Sequence, residues 1–187
     1  MTSDLPFPRL TGSADVSVRP ARPGDADAVA RVQGVTWRTA YRVVLPAEVL
    51  DAWDEAAVAG SWRAAVTSPP SPSHRVLVAI EKDTVVGFAA LAVVADVGEV
   101  GTLLVEPRWG RRGHGSRLLA AVTDLAAADG ARRLEVWLAE SDRASADFYE
   151  SAGWEPDGWA RTLDTGDAPL RELRWHTVLD DEEDGRP

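Results

Sequence analysis

At 187 residues the chain suits one domain with a substantial buried core and is short for two. Its 45% hydrophobic and 27% charged residues are ordinary for a globular protein, and no run of about 18 apolar residues marks a membrane-spanning helix. A net charge of −10 argues against a nucleic-acid binder, and the absence of cysteine excludes disulfides, thiolate metal sites and cysteine nucleophiles.

Residues 1–15 hold Pro6, Pro8 and Gly12 without periodicity and read as a flexible leader. They show no basic segment running into an apolar one, so no secretory signal is expected and the expected compartment is the cytoplasm. Val16 to Arg19 alternates like a short strand, and Pro23-Gly24-Asp25 offers a turn and a helix cap. Ala28, Val29, Val32, Val35 and Thr36 recur at helical spacing and predict a first helix to about Ala40. Pro46 opens a second, with Val49, Leu50 and Trp53 on its apolar side, and a further helical stretch runs to about Val66. Ser68 to Pro72 is a loop.

From His74 the texture changes to β. His74 to Glu81 and Val85 to Val94 read as a hairpin turning at Lys82-Asp83-Thr84, and Glu99 to Val105 is a third strand. A glycine-rich turn leads into a helix from Ser116 to near Gly130. Leu134 to Leu138 is strand-like, Ala144 to Ser151 helical, and Thr162-Leu163 with Leu170 to Val178 forms a closing pair of strands. This order predicts an α/β domain over 16–178 with a mixed central sheet flanked by helices. Asp180 to Asp184 make 179–187 an acidic, disordered tail. Lys82 is the only lysine among many arginines, a bias that points to a high-GC bacterial genome.

The turn Val105-Glu106-Pro107-Arg108-Trp109-Gly110-Arg111-Arg112-Gly113-His114-Gly115-Ser116 sets three glycines and three arginines between a strand and a helix. Glycine lets backbone approach a ligand, and N–H groups at a helix start attract phosphate. A Walker A loop would need a lysine after its last glycine, and Lys82 lies elsewhere. A dinucleotide fingerprint would need G-x-G-x-x-G, whereas Gly110, Gly113 and Gly115 run in the reverse spacing.

The segment Glu99 to Pro107 followed by Gly110 to Gly115 resembles the fourth strand and pyrophosphate loop of the GNAT superfamily of N-acetyltransferases. Asp142-Arg143-Ala144-Ser145-Ala146-Asp147-Phe148-Tyr149-Glu150-Ser151-Ala152-Gly153-Trp154 resembles the family's second motif, a helix carrying Phe-Tyr-Glu that ends at a glycine and an aromatic residue. The resemblance implies a GNAT-like fold and an enzyme that moves acetyl from acetyl-CoA, as co-substrate, to a primary amine of a small molecule or peptide. It places the pantetheine arm and acyl carbonyl against backbone groups of Leu103, Leu104 and Val105. The pyrophosphate falls on Arg111, Arg112, Gly113, His114, Gly115 and Ser116, with His114 contributing its backbone, and Asp142 belongs to the cofactor site. Tyr149 matches the tyrosine that protonates the leaving thiolate in many relatives, and Glu99 stands where many place the carboxylate that takes the amine proton through water. Glu106 is a second carboxylate near the strand.

Trp37 and Tyr41, four residues apart, share a helix face where the family builds its acceptor pocket; they either line it or pack the first helix against the core. His74 and His176 show no ligand spacing, so no metal is argued. Homodimers are frequent in the family. The loop carries Gly110 where the family has Gln or Arg and Arg111 where it has glycine, while Asp142 and Ser145 replace a common Asn and Ala. Those departures motivate an alternative: a degenerate GNAT-fold protein that binds CoA as a sensor or partner without transferring.

Overall fold

Seven strands and five α-helices follow from these patterns in the computed structural model, which describes residues 16–40, 42, 47–164 and 169–179. Tyr41, the leader and the acidic run from Asp180 lie outside the described residues. Strand β1 (Val16–Pro20) leads to helices α1 (Ala26–Ala40), α2 (Ala47–Asp51) and α3 (Glu55–Thr67). Then come β2 (His74–Glu81), β3 (Thr84–Val94), β4 (Val97–Val105), α4 (His114–Ala128), β5 (Arg133–Ala139), α5 (Arg143–Ser151), β6 (Glu155–Leu163) and β7 (Leu170–Val178).

Three of the boundaries that differ from the sequence expectation have a clear local reason. Helix α2 stops before Trp53 because Asp54 caps α3, its side chain accepting the Ala57 N–H at 3.0 Å. Helix α4 begins at His114, two residues early, because Gly113 takes a left-handed φ of 79° and turns the chain straight into the helix. Strand β6 runs from Glu155, well before Thr162, because it is a mostly exposed edge strand with no apolar alternation to announce it.

The sheet order is β1-β2-β3-β4-β5-β7-β6, and every neighbouring pair is antiparallel except β4 with β5. Helices cover both faces of β2, β3 and β4, so β2 and β3 read as nearly continuous apolar runs. On one face Leu77, Val86 and Leu134 pack with Leu118 and Val122 of α4 and with Tyr149 of α5. On the other, Val29 and Val32 of α1 meet Val78, Phe88 and Leu104, with Trp62 of α3 edge-on to Phe88 at 5.0 Å. No helix among the described residues is long and apolar enough to cross a membrane.

Phe88 is fully buried beneath α1 and α3. Replacing it with alanine is expected to lower stability by about 3–5 kcal/mol, read as a lower midpoint in urea unfolding at unchanged slope.

Candidate active site

Strand β4 keeps β3 along its whole length, but the register shifts where Ala90 faces Thr102 and Leu91 faces Val100, leaving Gly101 as an extra residue in β4. At the same point β4 parts from β5. Only Val97–Val100 pair with Arg133–Val136, whereas β5 pairs with β7 from Arg133 to Ala139. Beyond Val100 the outer edge of β4 borders a slot through the sheet, a cavity of about 180 Å³. Thr102, Leu103 and Leu104 line one side, and Trp137, Leu138 and Ala139 the other. Tyr149 and Asp142 reach it from α5, Trp37 from α1 and Glu172 from β7. Strand N–H and C=O groups bordering such a slot need partners, and an extended ligand supplies them as an added strand would.

Beyond β4 the chain turns through Pro107–Trp109 into α4. The first helical bond runs from Arg117 N to Gly113 O at 3.1 Å, and no side chain caps the helix. The N–H groups of the first turn, from Gly113 to Ser116, therefore have no intrahelical acceptor, which makes this a ready anion site. Arg111 stands in the left-handed region at φ 60°, the backbone shape a glycine would give, and is exposed. Arg112 differs: its guanidinium pairs with Glu81 of β2 at 3.1 Å and lies over the Trp109 ring at 4.9 Å. Glu81 also meets His114 Nε2 at 2.8 Å, and the His114 side chain is wholly buried against the sheet. Desolvation pushes the Glu81 carboxyl up, but the His114 hydrogen bond and the Arg112 charge outweigh it and hold its pKa below the usual glutamate value. His114 thus offers only backbone at the loop, and its side chain helps anchor the loop to β2.

Gly115 has a different task. A Cβ there would lie 3.3 Å from the Phe148 ring, so the missing side chain lets α4 press against α5. Phe148 is edge-on to Tyr149 at 5.2 Å, and Tyr149 to Trp154 at 4.9 Å, so Tyr149 is buried and oriented by aromatic neighbours. The Asp142 carboxylate caps α5, accepting the Ser145 N–H at 3.1 Å and the Ser145 hydroxyl at 2.6 Å. Asp142 and Ser145 are therefore a matched pair.

Tyr149, Leu103, Leu104, Asp142 and Trp37 are brought to one slot, but Glu99 is not among them. Glu99 opens on a neighbouring cavity under α3 that shares Gly101 with the slot. Val105 ends β4 opposite Gly87, outside the slot lining. Trp37 is half-buried and edge-on to Trp53 at 5.1 Å, so it combines packing with slot lining. Glu106 is held by Arg31 at 2.6 Å and by Arg108 and does not line the slot. Glu172 is held by Arg161 at 2.6 Å and Glu135 by Arg174 at 3.3 Å. Among the described residues Glu99 makes no ion pair.

Glu81, Trp137 and Glu172 were not found by sequence reasoning. Trp137 and Glu172 reach the slot through the β5–β7 register, which no local pattern encodes. A glycine inside the apolar strand at Gly101 was the one available signal of the bulge.

Comparison with known proteins gives a consistent result. The family model for the acetyltransferase (GNAT) family matches residues 36–154. A mycothiol acetyltransferase from Nocardiopsis dassonvillei is 34% identical over 104 residues, covering 56% of this chain and 30% of the relative, so the match spans under a third of that protein. The fold is shared with the PaiA N-acetyltransferase of Thermoplasma acidophilum in complex with coenzyme A, at TM-score 0.70 and 15% identity over 88% of this chain and 99% of that one. It is also shared with YncA of Salmonella typhimurium with acetyl-CoA, at TM-score 0.67 and 18% identity over 91% and 98%. A GCN5-related N-acetyltransferase structure from Rhodopseudomonas palustris gives TM-score 0.71 at 24% identity over 87% and 95%.

The unequal environments of the two arginines give a testable asymmetry. Arg111→Gly preserves the left-handed turn while removing the charge, and is expected to weaken coenzyme A binding about tenfold by calorimetry, the loss of one charged hydrogen bond. Arg112→Ala, whose guanidinium already serves Glu81, is expected to change that affinity by less than about threefold.

Proposed function

The chain belongs to the acetyltransferase (GNAT) family, and from that premise we propose that it transfers an acetyl group from acetyl-CoA to a primary amine of a small molecule or peptide. The observation that carries this reading is the placement of Tyr149 and Glu99 on two cavities that meet at Gly101. The transfer needs an acid near the leaving sulfur and a base near the attacking nitrogen, and Tyr149 on one cavity with Glu99 on its neighbour supports this assignment.

Acetyl-CoA supplies the acyl group as a thioester. The first-turn N–H groups of α4 and the Arg111 guanidinium hold its pyrophosphate. The open edge of β4 at Leu103 and Leu104 aligns the pantetheine arm and offers main-chain N–H groups to the carbonyl oxygen as negative charge develops there. Glu99 accepts, through water, the proton that the amine nitrogen loses as it bonds to the carbonyl carbon. Tyr149 gives its phenolic proton to the sulfur as the carbon–sulfur bond breaks.

The loop and motif departures give no specific support to a protein that binds CoA without transferring. Arg111 adopts the φ of the glycine it replaces, and the Asp142 charge is met by Ser145.

Tyr149→Phe keeps the ring packing and removes the hydroxyl. It is expected to lower kcat about 10²–10³-fold with acetyl-CoA affinity unchanged, followed by thiol release and by calorimetry. Equal turnover in wild type and variant would remove Tyr149 from the chemistry, and no turnover by a wild type that binds acetyl-CoA would favour the binding-only protein.

A further inference from the structure

Resting on the acetyl-transfer reading, we infer that the acceptor is a small primary amine carrying one compact apolar group, seated in the cavity under α3. That cavity, of about 290 Å³, lies between α3 and strands β2–β4 and shares Gly101 with the thioester slot. It sits just below the roughly 300–1,000 Å³ of ordinary ligand pockets, which suits a small molecule better than a polymer end.

Its walls are Trp62, Ala65 and Pro70, and its floor is Ala90, Ala92 and Gly101. The floor residues are what make the space, because larger side chains there would fill it. The sheet register puts His74 opposite Ala92 and Ala92 opposite Glu99. The imidazole and the carboxylate therefore stand on one face two strands apart, roughly 9–10 Å, with only a methyl group between them. His74 Nδ1 is engaged by the Ser71 hydroxyl at 2.8 Å. Arg75 also borders the cavity, but its guanidinium is bound to Asp129.

Charge decides the class of amine. Glu99 is the one carboxylate lining the cavity, so a single ammonium group finds a partner there and a second one would not. A polyamine's second ammonium would find no further carboxylate on this lining. The carboxylate of an amino acid would meet Glu99 with no free arginine to offset it, since Arg75 is occupied. A charged substituent seated against the apolar walls would lose hydration without a partner, which favours an uncharged one. An apolar substituent meets the Trp62, Ala65 and Pro70 walls while its amine reaches Glu99 beside the bulge at Gly101.

The test is steady-state thiol release from acetyl-CoA with 2-phenylethylamine, spermidine and L-lysine, on wild type, Ala92→Leu and Ala65→Leu. Ala92→Leu raises the floor and Ala65→Leu thickens the wall, so either variant suffices if the other misfolds. The expected kcat/KM for 2-phenylethylamine exceeds that for the other two amines by about 100-fold or more. Either variant should raise its KM about tenfold with acetyl-CoA affinity by calorimetry unchanged. Equal use of spermidine or lysine, or an unchanged KM in folded variants that bind acetyl-CoA, would overturn the assignment. Failure of folded wild type to bind acetyl-CoA would be a different result, overturning the transfer reading on which this one rests.

Discussion

Everything in the site depends on one broken pairing. Strand β4 has β3 along its full length and β5 has β7, so each is secured on one side. Between them only Val97–Val100 and Arg133–Val136 join, and the Gly101 bulge lies where that join ends. A sheet opened in its middle leaves main-chain donors and acceptors without partners, which folding tolerates only where something else satisfies them. Tyr149 of α5 lines the same opening, and α4 follows β4 after the turn at Pro107–Trp109. One interruption thus leaves a strand edge open beside the slot that Tyr149 lines.

Charge is arranged by occupation more than by composition. A protein of net charge −10 is a poor partner for an anion unless the field is reshaped locally. Uncapped first-turn N–H groups and Arg111 do this at the loop, while Glu81, the nearby carboxylate, is neutralised by Arg112 and hydrogen-bonded to His114. Glu106 is tied to Arg31, Glu172 to Arg161 and Glu135 to Arg174, while Asp142, which lines the slot, is held by Ser145. Glu99, on the neighbouring cavity, makes no ion pair among the described residues.

The fold was largely legible in the sequence because its central elements carry strong local signals. The apolar runs of β2 and β3, the hairpin at Lys82-Asp83 and the periodic face of α1 each fall where the residues point. Strand β6 was not, because an edge strand of exposed polar residues buries nothing that would impose alternation. At the site, Tyr149 and the loop were readable as motifs, and the separation of Glu99 from the slot was not. Glu99 and Leu103 lie four residues apart, and only the extra residue at Gly101 decides which face and cavity each serves. The tasks of Arg112 and His114 were hidden for a related reason: Glu81, their partner, is more than 30 residues away in sequence.

The residues that depart from the family pattern are the ones whose local physics is most constrained. Arg111 holds a left-handed conformation that costs a non-glycine residue about 1–3 kcal/mol, so the surrounding turn must enforce it. Pro107–Trp109 forms a tight turn before it, and Arg112 is paired with Glu81 after it. The charge of Arg111 is therefore presented from a fixed backbone, with less freedom to lose on meeting an anion. Asp142 follows the same logic, since Ser145 supplies two donors to a carboxylate where an asparagine would need fewer. Beside it, Gly115 lets α4 bear directly on Phe148, and Phe148 on Tyr149. The loop and the Tyr149 ring are thus parts of one packed unit, joined through Gly115 and Phe148.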